Sequence, residues 1–213
     1  MFHGTIVLAF GSNVKWSLAP KNILKAFFGA FEELKDYRIV FSYNGKPRQV
    51  PKHIKLSPWM QQKEILNHPK TKLLIGHSGL KSTNEAICAA VPLILMPSFA
   101  DQKYNSEFFV YLGYAELLNK YHMTKHDVLE AIYEILNNFE VKKGKMEKLR
   151  SIYLDKIIQP MNLAEFYVNR AVKSYKNNGK VVFGRKGMDL EWINYLNLDF
   201  LLIVFSLIWI VWK

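Results

Sequence analysis

Short aliphatic runs bounded by turn residues alternate with longer stretches of helical spacing through the first half of the chain. The runs are Thr5 to Phe10, Arg38 to Tyr43, His53 to Leu56, Leu73 to Ile75, Val91 to Met96 and Tyr114 to Leu118. Their length and aliphatic character predict parallel strands covered on both faces. After the first run, Ile23, Ala26, Phe27, Ala30, Phe31 and Leu34 recur at helical spacing behind Pro20 and predict one buried helix face. Further helices are expected near Glu64 to Asn67, from Ser82 or Thr83 through Ala90, and over Glu107 to Leu112. Beyond Leu118 the pattern is mainly helical. Thr124 with Asp127 has the spacing of a capping box ahead of Val128, Ile132, Ile135 and Leu136. Pro160 opens a helix whose Ala164, Tyr167, Val168, Ala171, Val172 and Tyr175 form a stripe that needs a partner. The fold class predicted is α/β, a parallel sheet with helices on both faces.

The last part of the chain differs in kind. Asn177 to Asp189 contains glycines and lysines in the manner of a linker, and Trp192 to Trp212 carries Asp199 as its only charge. About 20 apolar residues of helix span a bilayer core, and Trp192, Tyr195, Trp209 and Trp212 sit where interfacial aromatics belong. The expected organisation is therefore a ligand-binding domain over 1–178, a basic linker over 179–190 and a transmembrane anchor over 191–213. Taken literally, a lone anchor at that end leaves the body in the cytosol, in agreement with the basic linker ahead of the span. No basic n-region precedes the apolar residues at the start, so no secretory signal is expected.

Composition narrows the partners. Half of the 213 residues are hydrophobic, enough for one α/β domain with a core, and the net charge of +11 favours anions such as phosphates, acidic lipids or nucleic acid, among which charge alone does not choose. The basic run from Lys142 to Arg150 reads as a solvated helix face, and nucleic acid is not expected as a partner. The single cysteine, Cys88, lies among small apolar residues and is a packed thiol with no internal disulfide partner.

The candidate chemistry lies in Lys72 to Asn105: a strand, the turn Gly76-His77-Ser78-Gly79, a helix, a second strand and a loop closing on Asp101 and Gln102. A small-residue turn that opens a helix lets the backbone approach a ligand, and the helix's first N–H groups favour an anion there. Pro58, Trp59, Met60, Gln61 and Gln62, at another strand exit, form either a packed corner or a ligand lip. No G-x-G-x-x-G follows the first strand, which argues against a dinucleotide-binding dehydrogenase.

Trp59, Gln62, His77, Ser82, Glu85, Asp101 and Gln102 stand as W-x2-Q-x14-H, then S-x2-E-x15-D-Q. This resembles the nucleotide-sugar signature of the UDP-glycosyltransferases, most closely the C-terminal half of animal UDP-glucuronosyltransferases. TIVLAFGS at Thr5 to Ser12, HPKT at His68 to Thr71 and DLEWINYLNLD before the apolar end extend the resemblance over nearly the whole chain. It implies the Rossmann-like C-terminal domain of a GT-B-type glycosyltransferase, with a UDP-sugar as donor substrate and neither cofactor nor metal. It also implies that Trp59 stacks on uracil, Gln62 bonds the nucleoside and Glu85 the ribose. Ser12, His77, Gly79 and Ser82 would hold the diphosphate, and Asp101 with Gln102 would grip the sugar. Ser78 stands where the family usually has glycine, Lys81 where it has asparagine and Gln61 where it commonly has proline. Serine can crowd the phosphate approach; lysine can strengthen it or face solvent.

In that family the catalytic base and the acceptor site belong to an N-terminal domain, and none of the six histidines here matches the base. The resemblance therefore implies the donor-binding half of a membrane-bound enzyme that transfers glucuronosyl or glucosyl groups, with inversion, to a hydroxyl of a small lipophilic acceptor. The alternative is an inactive UDP-sugar-binding or regulatory partner of full-length relatives. Partners implied are the N-terminal acceptor domain or such a relative, docking on the Ala164 to Tyr175 stripe. The family also implies the endoplasmic reticulum membrane, with a lumenal body as the competing topology.

Overall fold

The computed structural model describes residues 2–176 and 191–212. Alternation along the strands decides which helix lies on which face. In β1 (Gly4–Ala9), Ile6 and Leu8 belong to one core and Val7 and Ala9 to the other. The first core is closed by α1 (Lys21–Glu33) and α5 (Lys125–Asn137), through Ile23, Phe27 and Phe31 with Val128, Ile132 and Ile135. The second is closed by α3 (Leu80–Ala89) and α6 (Phe139–Leu154), through Ala86, Ile87 and Met146. Central strands so covered need apolar residues on both faces, which is why the runs of β1, β4 and β5 are continuous, whereas β3 and β6 at the sheet edges carry Lys55 and Glu116.

The remaining strands are β2 (Tyr37–Ser42), β3 (Ile54–Ser57), β4 (Thr71–Gly76), β5 (Leu93–Leu95) and β6 (Ala115–Leu117). All pairings are parallel, in the order β3-β2-β1-β4-β5-β6. The chain moves outward from β1 to β2 and β3, then returns through α2 (Gln62–Leu66) to β4 on the other side of β1. Chain leaving β1 and chain leaving β4 therefore diverge, and a crevice opens outside their carboxyl ends.

Boundaries shift where backbone chemistry outweighs hydrophobicity. β5 begins after Pro92, which lacks the N–H that a ladder position requires, although Val91 is equally buried. α3 starts at Leu80, earlier than Ser82 or Thr83, and its N-cap is Gly79 with no side-chain hydrogen bond. Thr83 Oγ1 instead donates back to the Gly79 carbonyl at 3.0 Å. α4 (Gln102–Tyr111) likewise begins before Glu107. The capping box of α5 is formed, with the Thr124 amide donating to Asp127 Oδ2 at 2.8 Å and the Asp127 amide to Thr124 Oγ1 at 3.3 Å.

Residues Met1–Asp155 form one compact unit and Lys156–Lys213 a second. The second holds α7 (Pro160–Lys176), α8 (Trp192–Tyr195) and α9 (Leu198–Trp212). The expected helical stripe on α7 is present and exposed, with Tyr167 at 57%, Val168 at 63% and Tyr175 at 82%. The apolar end is not one continuous helix as the sequence suggests. Asn197 adopts a left-handed φ of 52°, a conformation asparagine tolerates, and separates α8 from α9. The 15 residues of α9 span roughly 22 Å at about 1.5 Å per residue, against a hydrocarbon core of about 30 Å. Among the described residues no helix is long and apolar enough to cross a membrane. The linker expected at 179–190 lies outside the described residues.

Candidate functional site

The crevice at the β1/β4 divergence is built from four strand-exit segments. From β1 comes the turn at 11–13. Gly11 has a φ of +68°, and a Cβ there would meet His77 Cε1 at 3.2 Å. From β4 comes His77-Ser78-Gly79. A Cβ on Gly79 would lie 2.8 Å from the same ring carbon, so the imidazole occupies space that two glycines leave free. Phe10 lies against that ring, with centroids 6.0 Å apart. The approach of backbone to His77 from both turns is thus a tertiary contact, made possible by the absence of two side chains.

The histidine is held neutral. Burial pushes its imidazole below the ordinary histidine value, and the Ala9 carbonyl and the Asp101 carboxylate oppose that shift. Its Nδ1 is buried without a hydrogen-bond partner, as is Ser78 Oγ. Ser78 is 2% exposed and has a left-handed φ of 65°. Unpaired buried polar atoms and a strained non-glycine backbone are both costly, and they coincide in this turn. Gly79 and the uncapped first turn of α3 leave backbone N–H groups facing the same region, a suitable seat for an anion. Ser82 is half-buried in that first turn, and Lys81 is exposed beside it.

Two further segments complete the rim. At the β3 exit, Trp59 is 72% exposed, and Ser57 Oγ donates to its carbonyl. Gln62, at the start of α2, donates through Nε2 to Glu85 Oε2 at 2.7 Å. This bond orients a carboxylate on α3 from a helix distant in sequence. At the β5 exit, Gln102 is 4% exposed, and its Oε1 accepts from the amides of Ser98 and Phe99 at 2.9 and 3.1 Å. Gln102 thus shapes its own loop, while Asp101 beside it is exposed.

The structure therefore joins His77, Ser78 and Gly79 in one turn, couples Gln62 to Glu85, and places Ser12 and Trp59 exposed in the β1 and β3 exits. Asp101 is linked to the β4 turn by a residue not singled out from the sequence. Asn105 Nδ2 donates to Asp101 Oδ2 at 2.9 Å and contacts the Ser78 carbonyl at 3.4 Å. Its position four residues after Asp101, on the same helix face, is a signal that was present in the sequence. Asn44 is a second such residue. Its Oδ1 accepts from the Trp16 amide at 2.8 Å and its Nδ2 donates to the Val14 carbonyl at 3.1 Å, which holds the loop following Ser12. Nothing near in sequence reveals that pairing.

Among the described residues one carboxylate and imidazole group has metal-compatible spacing, His126, Asp127 and Glu130. All three are exposed, Asp127 belongs to the capping box, and the group is no part of the crevice.

Comparison with known proteins gives a consistent result. The family model described as "UDP-glucoronosyl and UDP-glucosyl transferase" matches residues 2–213. A UDP-glucuronosyltransferase of Pleuronectes platessa is 34% identical over 215 residues, covering 99% of this chain and 44% of that protein. UDP-glucuronosyltransferase 1A9 of Mus musculus is 33% identical over 216 residues, covering 99% and 40%. The chain thus spans less than half the length of these curated relatives. Among solved structures, Os79 from O. sativa in complex with UDP superposes with a TM-score of 0.66 at 20% identity, over 79% of this chain and 41% of that one. The calicheamicin glycosyltransferase CalG4 superposes with a TM-score of 0.65 at 16% identity, over 80% and 44%. At such identities the likeness is one of fold.

Proposed function

The chain belongs to the UDP-glucuronosyl and UDP-glucosyl transferase family, and on that premise we propose that its crevice binds a UDP-sugar and forms the donor half of a glycosyltransferase site. The observation that carries this reading is the β4–α3 turn, where a neutral imidazole, glycine backbone and uncapped helix N–H groups converge at the strand-order switch point. Ligands of open parallel sheets bind at such points. The diphosphate would lie on Gly79 and the α3 N-terminus, with His77, Ser12 and Ser82 beside it. Trp59 offers a flat apolar face for uracil. Glu85, oriented by Gln62, would accept from the ribose hydroxyls. Asp101 would meet the sugar, and Gln102 would hold the loop that presents it.

In the reaction proposed, the acceptor hydroxyl oxygen forms a bond to the anomeric carbon as the carbon–oxygen bond to UDP breaks, with inversion. The hydroxyl proton passes to a base outside this crevice, because His77 is committed to the phosphate end. UDP leaves as an anion stabilised by the helix terminus. The base would come from the portion of the relatives that this chain does not span, or from a full-length relative, and the exposed stripe on α7 suits such docking. We assign the membrane attachment of this reading to α9, whose described side chains, Asp199 and Ser206 apart, are apolar and exposed around most of its surface. Donor binding would then occupy 1–178, with 191–213 as the membrane segment.

Calorimetric titration of the full chain in detergent micelles with UDP, UDP-glucose and UDP-glucuronic acid tests the donor reading. Saturable UDP binding that His77→Ala and Glu85→Ala both weaken supports it, and a difference between the two sugars identifies the preferred donor. Absence of UDP binding by folded protein would refute it. Flotation with liposomes tests the membrane reading, which fails if the chain stays in the dense fraction without detergent.

A further inference from the structure

Asn105 touches both the β4–α3 turn and the loop between β5 and α4, two walls of the crevice that meet different parts of one ligand in the reading above. We propose that Asn105 is a positioning residue: acting through Asp101, it fixes where the sugar is met relative to the diphosphate, and so sets how much the sugar contributes to donor binding. This deepens the donor reading and rests on it.

The orientation of its amide follows from its neighbours. Both are acceptors, the Asp101 carboxylate at 2.9 Å and the Ser78 carbonyl at 3.4 Å, so Nδ2 faces them with its two hydrogens. Turned over, the amide would set its oxygen against a carboxylate and a carbonyl. The shorter bond goes to the charged partner, as a charge-assisted bond should.

Asp101 is used in an unusual way. It is the N-cap residue of α4, yet its side chain makes no capping bond. An aspartate at that position ordinarily spends its carboxylate on the first amides of its helix. Here Asn105 holds Oδ2, and among the described residues Oδ1 has no printed partner, so one oxygen of a fixed carboxylate is free for a ligand hydroxyl. An i,i+4 pair on a helix surface is worth only a few tenths of a kcal/mol to the helix. The contact to a second strand exit is what such a pair does not need.

Strain marks both walls that the amide touches. Ser78 has a left-handed φ of 65° and Ala100, just before Asp101, one of 55°. Alanine has no side-chain hydrogen bond to favour that conformation, and such residues persist where surrounding contacts hold them. Asn105 contacts the Ser78 carbonyl itself and the residue that follows Ala100. From the other side Gln102 holds the same loop through the Ser98 and Phe99 amides. The carboxylate is near enough to the phosphate turn for its charge to act on His77.

Calorimetric titration of the full chain in detergent with UDP, UDP-glucose and UDP-glucuronic acid tests the proposal on wild type, Asn105→Leu, Asn105→Asp, Asp101→Ala and the Asn105→Leu/Asp101→Ala double variant. Leucine keeps the volume and removes the donor; aspartate keeps the shape and replaces the donor by an acceptor. In both Asn105 variants affinity for the better-bound UDP-sugar should fall roughly tenfold more than affinity for UDP. In the Asp101→Ala background Asn105→Leu should leave the ratio of the two affinities where Asp101→Ala alone puts it, because the amide acts through that carboxylate. A residue that only braces α4 would weaken all three ligands alike and would add to Asp101→Ala. Equal weakening of the three ligands, an unchanged ratio in both Asn105 variants, or additive effects in the double variant would overturn the proposal. If the wild-type chain binds no UDP, the donor reading fails and the positioning role with it. If UDP binds but neither UDP-sugar does, or the Asn105 substitutions leave the ratio intact, the positioning role alone fails.

Discussion

The two ends of the crevice are built differently. At the β4–α3 turn an imidazole fills the space left by two glycines, a serine is 2% exposed, and the ring nitrogen Nδ1 is enclosed without a partner. At the β3–α2 lip Trp59 is 72% exposed, and Gln62 donates to Glu85. One end is shaped before a ligand arrives; the other is left open for one. The difference follows from what each end would hold. A diphosphate needs fixed N–H groups at defined distances, because charge is stabilised best by dipoles that need not reorganise. A nucleobase needs a flat apolar face, and an exposed aromatic side chain supplies one.

Substitutions at the two ends should therefore fail differently, and the largest effect belongs to Gly79→Ala. Its Cβ would lie 2.8 Å from His77 Cε1, an overpacking that costs on the order of 1–3 kcal/mol. UDP affinity should fall by up to about 100-fold, and thermal stability should fall with it. Affinity lost without any change in the melting curve would show that the turn is not packed as described.

At the open end Trp59→Ala should cost about 10-fold in UDP affinity, the lower part of the range for a base stacked on an aromatic ring. Its melting temperature should not move, since the side chain is largely in solvent. If calorimetry showed no affinity change, the uracil would lie elsewhere.

Ser78→Gly separates crowding from contact. It removes a left-handed non-glycine residue and an unpaired buried hydroxyl, which should stabilise the protein by about 1–2 kcal/mol. A lower melting temperature would mean that the hydroxyl has a partner and that the crowding argument is wrong.

The smallest effect is the response to pH. The folded-state pKa of His77 is lowered, so above the ordinary histidine value of about 6.5 the ring is neutral in both states and its contribution to stability is complete. As pH falls below that value the unfolded chain takes up the proton first, and stability declines until the folded-state pKa is passed. Bound UDP, an anion, should raise the His77 pKa and offset part of this decline, so the stabilisation by UDP should grow on acidification. Melting curves between neutral and mildly acidic pH, for wild type and His77→Gln with and without UDP, would test it. Parallel curves would remove His77 as the titrating group.

Much of this architecture is legible along the chain because periodic burial leaves a periodic trace. Strands covered on both faces read as unbroken aliphatic runs, and α1, α5 and α7 read as stripes at helical spacing. Where the trace failed, the backbone decided: Pro92 delayed β5 for want of an N–H, and a left-handed Asn197 divided a segment whose composition alone suggested a single span.

Sequence by itself determined the fold class, the order of the elements, the family to which the chain is similar, and the chemistry gathered at the strand exits. Each of these depends on residue type and local spacing. Tertiary structure alone decided that Gly11 and Gly79 enclose the same imidazole, that Gln62 orients Glu85, and that Asn44 holds the loop after Ser12. Those contacts join segments far apart in the chain, and they exist because the sheet order sets β1 between β2 and β4, so no local pattern encodes them.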